Sequence, residues 1–244
     1  MKEGYVLFFD SGVGGLTLLR ECVARFPQER FAYIGDNANA PYGEKGEGEI
    51  CALVAAALTE ARRLPVRALV LACNTVTALC APWLRGCLSF PVFGVEPALR
   101  PAALFCRGGR VLVLATRRTA ESARFRGLLE KNSSLASFDV FVPARLAAAV
   151  EENFSDLSRI PLEEHLPHGK YDAVVLGCTH YIFLRDRIRA FFGTPVFDGN
   201  SGTADHIAST LNICSQNSQN FGKKTPIFLG NGAKINFSAY KCLI

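Results

Sequence analysis

No apolar run in the 244-residue sequence approaches the roughly 20 residues that a helix needs to cross a bilayer. A membrane-spanning helix is therefore excluded. The opening MKEGYVLFFDSG enters a strand-like run at once and meets an acid at Asp10, unlike a secretory signal. Cytoplasmic residence is expected. No C-x-x-C pair occurs and there are only four histidines, which argues against a zinc site. The cysteines stand at 22, 51, 73, 80, 87, 106, 178, 214 and 242, an odd number without regular spacing, which argues against a disulfide scaffold. Neither G-x-G-x-x-G nor G-K-[ST] is present, so a dinucleotide or phosphate loop is disfavoured. Basic residues exceed acidic ones by only five, in short pairs such as Arg62-Arg63, Arg117-Arg118 and Lys223-Lys224. Without a basic stripe, nucleic acid is not an expected partner.

What is present is ordinary for a compact protein: 49% apolar and 20% charged residues, with length for one large or two small domains. Short apolar runs at 6–9, 31–34, 68–72, 92–95, 111–115, 140–142, 173–177, 196–197 and 227–229 read as strands. They lack polar alternation, as parallel strands covered on both faces do. Amphipathic helical stretches lie between them, including 16–26, 49–64, 120–131 and 181–192. This alternation means an α/β fold with parallel sheets.

An internal repeat refines that reading. ALVLACNT at 68–75 matches AVVLGCTH at 173–180, which sets Cys73 and Cys178 apart by 105 residues. The same shift lays VLFFDS at 6–11 on VLVLAT at 111–116 without a gap. Apolar strands all look alike, but that does not put cysteine on cysteine. Two similar doubly wound domains with mainly parallel sheets are expected: 1–95 with 206–244, and 96–205. Ligands in such sheets bind beyond the carboxyl ends of the strands. An active site is therefore expected in the inter-domain cleft, lined by Asp10, Ser11, Cys73, Asn74, Thr75, Thr116, Cys178, Thr179 and His180.

A single cysteine is ordinarily a small buried hydrophobe. These two each end a strand and open a helix, where the helix dipole favours a thiolate. Each is followed by hydrogen-bonding residues, and the two occupy equivalent places in the halves. Opposed thiols suit inversion at a Cα: one removes the proton from one face while the other delivers a proton to the opposite face. An ordinary thiol pKa near ~8.5 calls for helpers, His180 for Cys178 and Asp10 for Cys73. The glycine-rich loop Asp10-Ser11-Gly12-Val13-Gly14-Gly15 exposes backbone N–H groups to a carboxylate. Tyr42 and Gly43 could present a phenol and an amide, and Thr116 and Thr119 hydroxyls.

FDSGVGGL (9–16), GDNANAPYG (35–43), LACNT (71–75), GVEPA (94–98) and GCTHY (177–181) together resemble the glutamate racemase family, as does the tail at 227–243. The resemblance implies interconversion of L- and D-glutamate for peptidoglycan, without metal or pyridoxal phosphate. It makes Cys73 and Cys178 the catalytic acid–bases. Asp10, Ser11, Tyr42, Gly43, Asn74, Thr75, Thr179 and His180 then hold the substrate or assist the thiols. A homodimer is the oligomer it implies. Two departures stand out. The family's G-T-x-x-T reads Ala115-Thr116-Arg117-Arg118-Thr119, and a glutamate usual soon after Val142-Pro143 is out of register, leaving Glu151 or Glu152 to replace it.

Aspartate racemases are similar, but usually carry Glu where this chain has His180. The decarboxylase and hydantoin-racemase group keeps other residues around its cysteines. A binding protein on the same scaffold, with DNA gyrase as partner, is an alternative of another class, disfavoured by the retained thiols and helpers. The N-terminal extension that resembles a peptidoglycan-precursor activator site in some relatives is not expected here.

Overall fold

The computed structural model describes residues 4–213 and 224–229. Cys214, Cys242 and the tail beyond 229 lie outside the described residues. The chain runs β1 (Tyr5–Asp10), α1 (Leu16–Arg25), β2 (Phe31–Gly35), α2 (Glu47–Leu58), β3 (Val66–Leu71), α3 (Asn74–Cys87) and β4 (Val92–Gly94). It continues through α4 (Leu99–Cys106), β5 (Arg110–Ala115), α5 (Arg117–Glu121), α6 (Ala123–Asn132), β6 (Ser137–Phe141) and α7 (Leu146–Glu152). β7 (Ala173–Gly177), α8 (Arg185–Phe192), β8 (Val196–Asp198), α9 (Asn200–Leu211) and β9 (Ile227–Leu229) complete it.

All strand pairs are parallel and form two sheets, ordered β4-β3-β1-β2-β9 and β6-β5-β7-β8. Leaving out β9, the two orders are the same path taken twice: in each, the third strand returns to the far side of the first. A switch point thus lies between β1 and β3, and an equivalent one between β5 and β7. There, successive connections leave in opposite directions and open a crevice at the carboxyl ends. β1 and β5 keep the 105-residue offset from end to end.

Alternation along the strands sorts their side chains between cores. Val6 and Phe8 of β1, Ala68 and Val70 of β3, Leu112 and Leu114 of β5, and Val174 and Leu176 of β7 enter one common cluster with α1, α8 and α9. The intervening residues face outward into separate cores. Leu7, Phe9, Leu69 and Leu71 pack with α2 and α3, while Val111, Val113, Ala173 and Val175 pack with α4 and α6. One core therefore spans the two sheets, and each sheet has a private core behind it.

Several elements differ in detail from the sequence expectation. The helix expected at 120–131 is two helices, because Ser122 adopts extended backbone (φ −70°, ψ 143°) and its Oγ accepts from Phe125 N at 3.1 Å to cap α6. The stretch from 181 starts as a tight 3₁₀ turn, Thr179–Leu184, before α8. β6 starts three residues before the expected 140–142 and ends one residue short of it; it is an edge strand with Ser137 and Asp139 interleaved among apolar residues. The expected division at 205/206 falls inside α9, which lies against α1. Asn200 Nδ2 donates to Thr17 Oγ1 at 3.0 Å, Asp205 pairs with Arg25, and His206 meets Phe93 edge-on at 5.3 Å.

Leu114 is fully buried in the shared core, whereas Leu104 on α4 is 49% exposed. Leu114→Ala should lower the free energy of unfolding by about 2–5 kcal/mol, and Leu104→Ala by less than about 0.5. Urea denaturation followed by circular dichroism checks the contrast; equal effects would contradict the placement of the shared core.

Candidate active site

Each switch point delivers a cysteine. Cys73 follows β3 and precedes α3, and Cys178 follows β7 and precedes the turn Thr179–Leu184. Both have extended backbone at the residue before the helical segment, and both are 5% exposed. The polar residues beside them interlock: Ser11 Oγ lies 3.5 Å from Cys73 Sγ, and the adjacent Asp10 accepts from Thr179, the residue after Cys178, at 3.2 Å.

Polar contacts join the two halves around them. Thr75 Oγ1 lies 2.9 Å from Thr116 Oγ1 and 3.5 Å from Thr119 Oγ1, and Thr116 donates to Thr119 at 2.9 Å. Thr179 Oγ1 donates to Asp10 Oδ2 at 3.2 Å, and Gly12 N–H donates to Asp10 Oδ1 at 2.8 Å. Glu151, from α7 of the second half, accepts from Val13 N–H at 2.9 Å and from Asn37 Nδ2 at 3.4 Å in the first. Glycine makes this approach possible. A Cβ on Gly14 would fall 2.3 Å from Thr179 Oγ1, and one on Gly43 would fall 2.9 Å from the Cβ of Thr116.

The thiols have different surroundings. Cys178 Sγ is 3.7 Å from His180 Nδ1, and His180 Nε2 donates to Glu151 Oε1 at 2.6 Å. This is a thiol–imidazole–carboxylate relay, in which the carboxylate orients the ring and supports its charge. Burial works against a charged His180, yet Cys178 and Glu151 together hold its pKa well above the ordinary imidazole value. Cys73 Sγ instead contacts Ser11 Oγ at 3.5 Å. Burial, reinforced by the Asp10 charge, pushes the Cys73 thiol up to about 11, against smaller pulls from the Val76 N–H and Ser11. Burial also raises the Asp10 carboxyl, opposed by His180, the Gly12 N–H and Thr179. The raised thiol pKa keeps the proton on Cys73 at neutral pH.

Of the residues expected here, Asp10, Ser11, Thr75, Thr116, Thr119, Thr179 and His180 are buried within this network. Asn74 is buried beside it, its Nδ2 3.5 Å from Val95 O. Tyr42 differs: its phenol is buried and donates to Asp36 Oδ2 at 2.5 Å, so it is not free to meet a carboxylate. Asp10 bears on Cys73 through its charge, while Ser11 makes the direct contact. Between the two candidate glutamates, Glu151 enters the site and Glu152 pairs with Arg145 at the surface. Asp36 and Asn37 were not singled out from the sequence. Their place just after a strand in GDNANAPYG was the available signal.

Comparison with known proteins points one way. The sequence model of the Asp/Glu/hydantoin racemase family matches residues 16–207. The chain is 33% identical to a glutamate racemase of Leptospira interrogans over 249 aligned positions, covering 100% of this chain and 93% of the relative. It is 37% identical to one from Campylobacter curvus, covering 86% and 83%. Its fold superposes on a crystal structure of Escherichia coli glutamate racemase in complex with L-glutamate and the activator UDP-MurNAc-Ala, with TM-score 0.79, 30% identity and coverage of 95% and 90%.

The relay carries a pH signature. A raised His180 pKa contributes stability in full below the unfolded value of about 6.5. That contribution is lost as pH rises through the folded value, which lies well above it. Glu151→Gln removes one of the two groups that raise it, so His180 should release its proton at a lower pH, as read from the imidazole NMR shifts. An unmoved titration would contradict the relay.

Proposed function

The chain belongs to the Asp/Glu/hydantoin racemase family, and on that footing we propose that it interconverts L- and D-glutamate, with Cys73 and Cys178 as opposed acid–bases at Cα. One observation carries the reading: two thiols follow the equivalent strands β3 and β7 of two sheets built on one plan, and Asp10-Ser11 touches both turns, Ser11 at Cys73 and Asp10 at Thr179. Identity above 30% to glutamate racemases along nearly the whole chain favours glutamate as substrate.

From L-glutamate, the Cys178 sulfur takes the α-proton while the Cys73 thiol gives its proton to the opposite face. His180, 3.7 Å from Cys178 Sγ, is placed to exchange a proton with that sulfur. The reverse direction exchanges the roles. Because Cys73 rests as a thiol, it must first lose its proton, and an α-ammonium bound beside Asp10 would favour that by offsetting the carboxylate. The hydroxyls of Thr75, Thr116 and Thr119 form the natural cradle for a substrate carboxylate. On this reading the two thiols carry both proton transfers at Cα, and no cofactor is invoked. We place the enzyme in the cytoplasm, where D-glutamate supplies peptidoglycan.

Cys73→Ser or Cys178→Ser should abolish racemisation in both directions, since a hydroxyl is far too weak an acid to replace the thiol. Cys106→Ser, at a position away from the cleft, should retain near-normal turnover. In deuterated water the label should enter mainly the inverted product. Near-normal racemisation by Cys73→Ser would reject the two-thiol mechanism.

Substrate choice has a separate test. Offered L-Glu, D-Glu, L-Asp and D-Asp without added cofactor, the protein should turn over glutamate faster. One methylene in a pocket is worth about 1–3 kcal/mol of discrimination. Faster turnover of aspartate, followed polarimetrically, would overturn the glutamate assignment and leave the thiol mechanism standing.

A further inference from the structure

Behind the cleft, two thiols that the racemisation does not use are in contact. Cys51 of α2 and Cys80 of α3 place their sulfurs 3.5 Å apart, although 29 residues separate them in sequence. Cys80 is fully buried in the core behind the first sheet, and Cys51 is half-buried against that core. A disulfide has an S–S length of about 2.05 Å, so bonding asks the sulfurs to approach by about 1.5 Å. Among the described residues, no group of three or more His, Cys, Asp and Glu could hold a metal ion. The contact therefore points to redox chemistry, not metal ligation.

We propose that Cys51 and Cys80 form a reversible disulfide that pins α2 to α3, with a hydroperoxide as the oxidant. The Cys51 sulfur attacks a peroxide oxygen and the O–O bond breaks, giving a sulfenic acid and, with hydrogen peroxide, one water. The Cys80 sulfur then attacks the Cys51 sulfur, the S–S bond forms, and a second water leaves. The two thiol protons end in water, and two electrons pass from the sulfurs to the peroxide. Cys51 reacts first because it is the more accessible thiol, while burial and the adjacent Cys51 push the Cys80 thiol up. The bond joins two helices behind the first sheet that run from turns near the site. α2 follows the turn Tyr42–Glu44, whose Glu44 is bound by Arg117 of the second half, and α3 begins directly after Cys73.

The test exposes the full chain to dilute hydrogen peroxide, blocks the remaining thiols, and maps disulfide-linked peptides by mass spectrometry without reduction. A Cys51–Cys80 link that disappears with dithiothreitol is expected, together with a higher Tm of the oxidised protein, since the bond constrains the unfolded chain. Cys51→Ser should lack both the link and the Tm rise while keeping the turnover of the unoxidised protein. Cys80→Ala provides a second variant with the same expectation for the link. Oxidation of Cys51 to sulfinic acid without a link, a link from either thiol to another cysteine, or no oxidation at Cys51 would overturn the proposal. A link without a Tm rise would overturn the pinning. The readout is the link itself, so oxidation of Cys73 or Cys178 does not blur it.

Discussion

The arrangement depends on one hydrophobic core shared by two sheets. Phe8 and Val70 from one sheet, and Leu114 and Val174 from the other, belong to a single buried cluster with α1, α8 and α9. Each such side chain is worth about 1.5–3 kcal/mol when fully buried. Separating the sheets would divide that one cluster and expose part of it. The shared core therefore fixes how the two crevices stand to each other, and the thiols inherit that placement from β3 and β7. Close backbone approach then finishes the fit, with Gly14 against Thr179 leaving no room for a side chain.

Above the core, the interface between the halves turns polar. The Val13 N–H of the glycine loop, suited to a substrate carboxylate, is held by the protein's own Glu151 carboxylate. Glu151 thereby binds the opposite half through Val13 and Asn37 and its own half through His180. It links the imidazole to the cross-cleft contacts: a protonated His180 strengthens its pair with Glu151, and Glu151 in turn reaches across the cleft. The three threonine hydroxyls remain as neutral donors that can turn toward an incoming anion. Both thiols lie beneath these contacts, each 5% exposed.

Much of this was legible in the sequence because parallel strands leave strong signals. Uninterrupted apolar runs marked the strands, and the repeated offset marked the equivalence of β1 with β5 and of Cys73 with Cys178. Local chemistry hid the rest. Ser122 interrupts a helical pattern whose apolar periodicity continues past it, so the break into α5 and α6 shows only in the backbone. Tyr42 read as a free phenol because its partner Asp36 is recognisable only once the loop after β2 folds back. The choice between Glu151 and Glu152 depended on which face of α7 turns inward. Adjacent helical residues point about 100° apart, and that fine rotation is set by packing of Leu146 and Val150 in the shared core.

Symmetry places the thiols, but it does not make them equivalent. Cys73 has a neutral hydroxyl in contact and a buried carboxylate nearby, and both burial and that charge keep its proton on. Cys178 has an imidazole whose charge is upheld by Glu151. On the proposed two-thiol mechanism, a perfect repeat would give both thiols the same proton affinity and favour neither as the donor. On that mechanism, asymmetric neighbours let Cys73 rest as the proton donor while His180 stands beside Cys178 to receive or return a proton. The cost of that bias falls on the direction that needs a thiolate at Cys73. A zwitterionic amino acid can reduce it with its own ammonium beside Asp10. On the proposed function, the substrate thus supplies the charge that restores balance between two sites the repeat made similar and their neighbours made different.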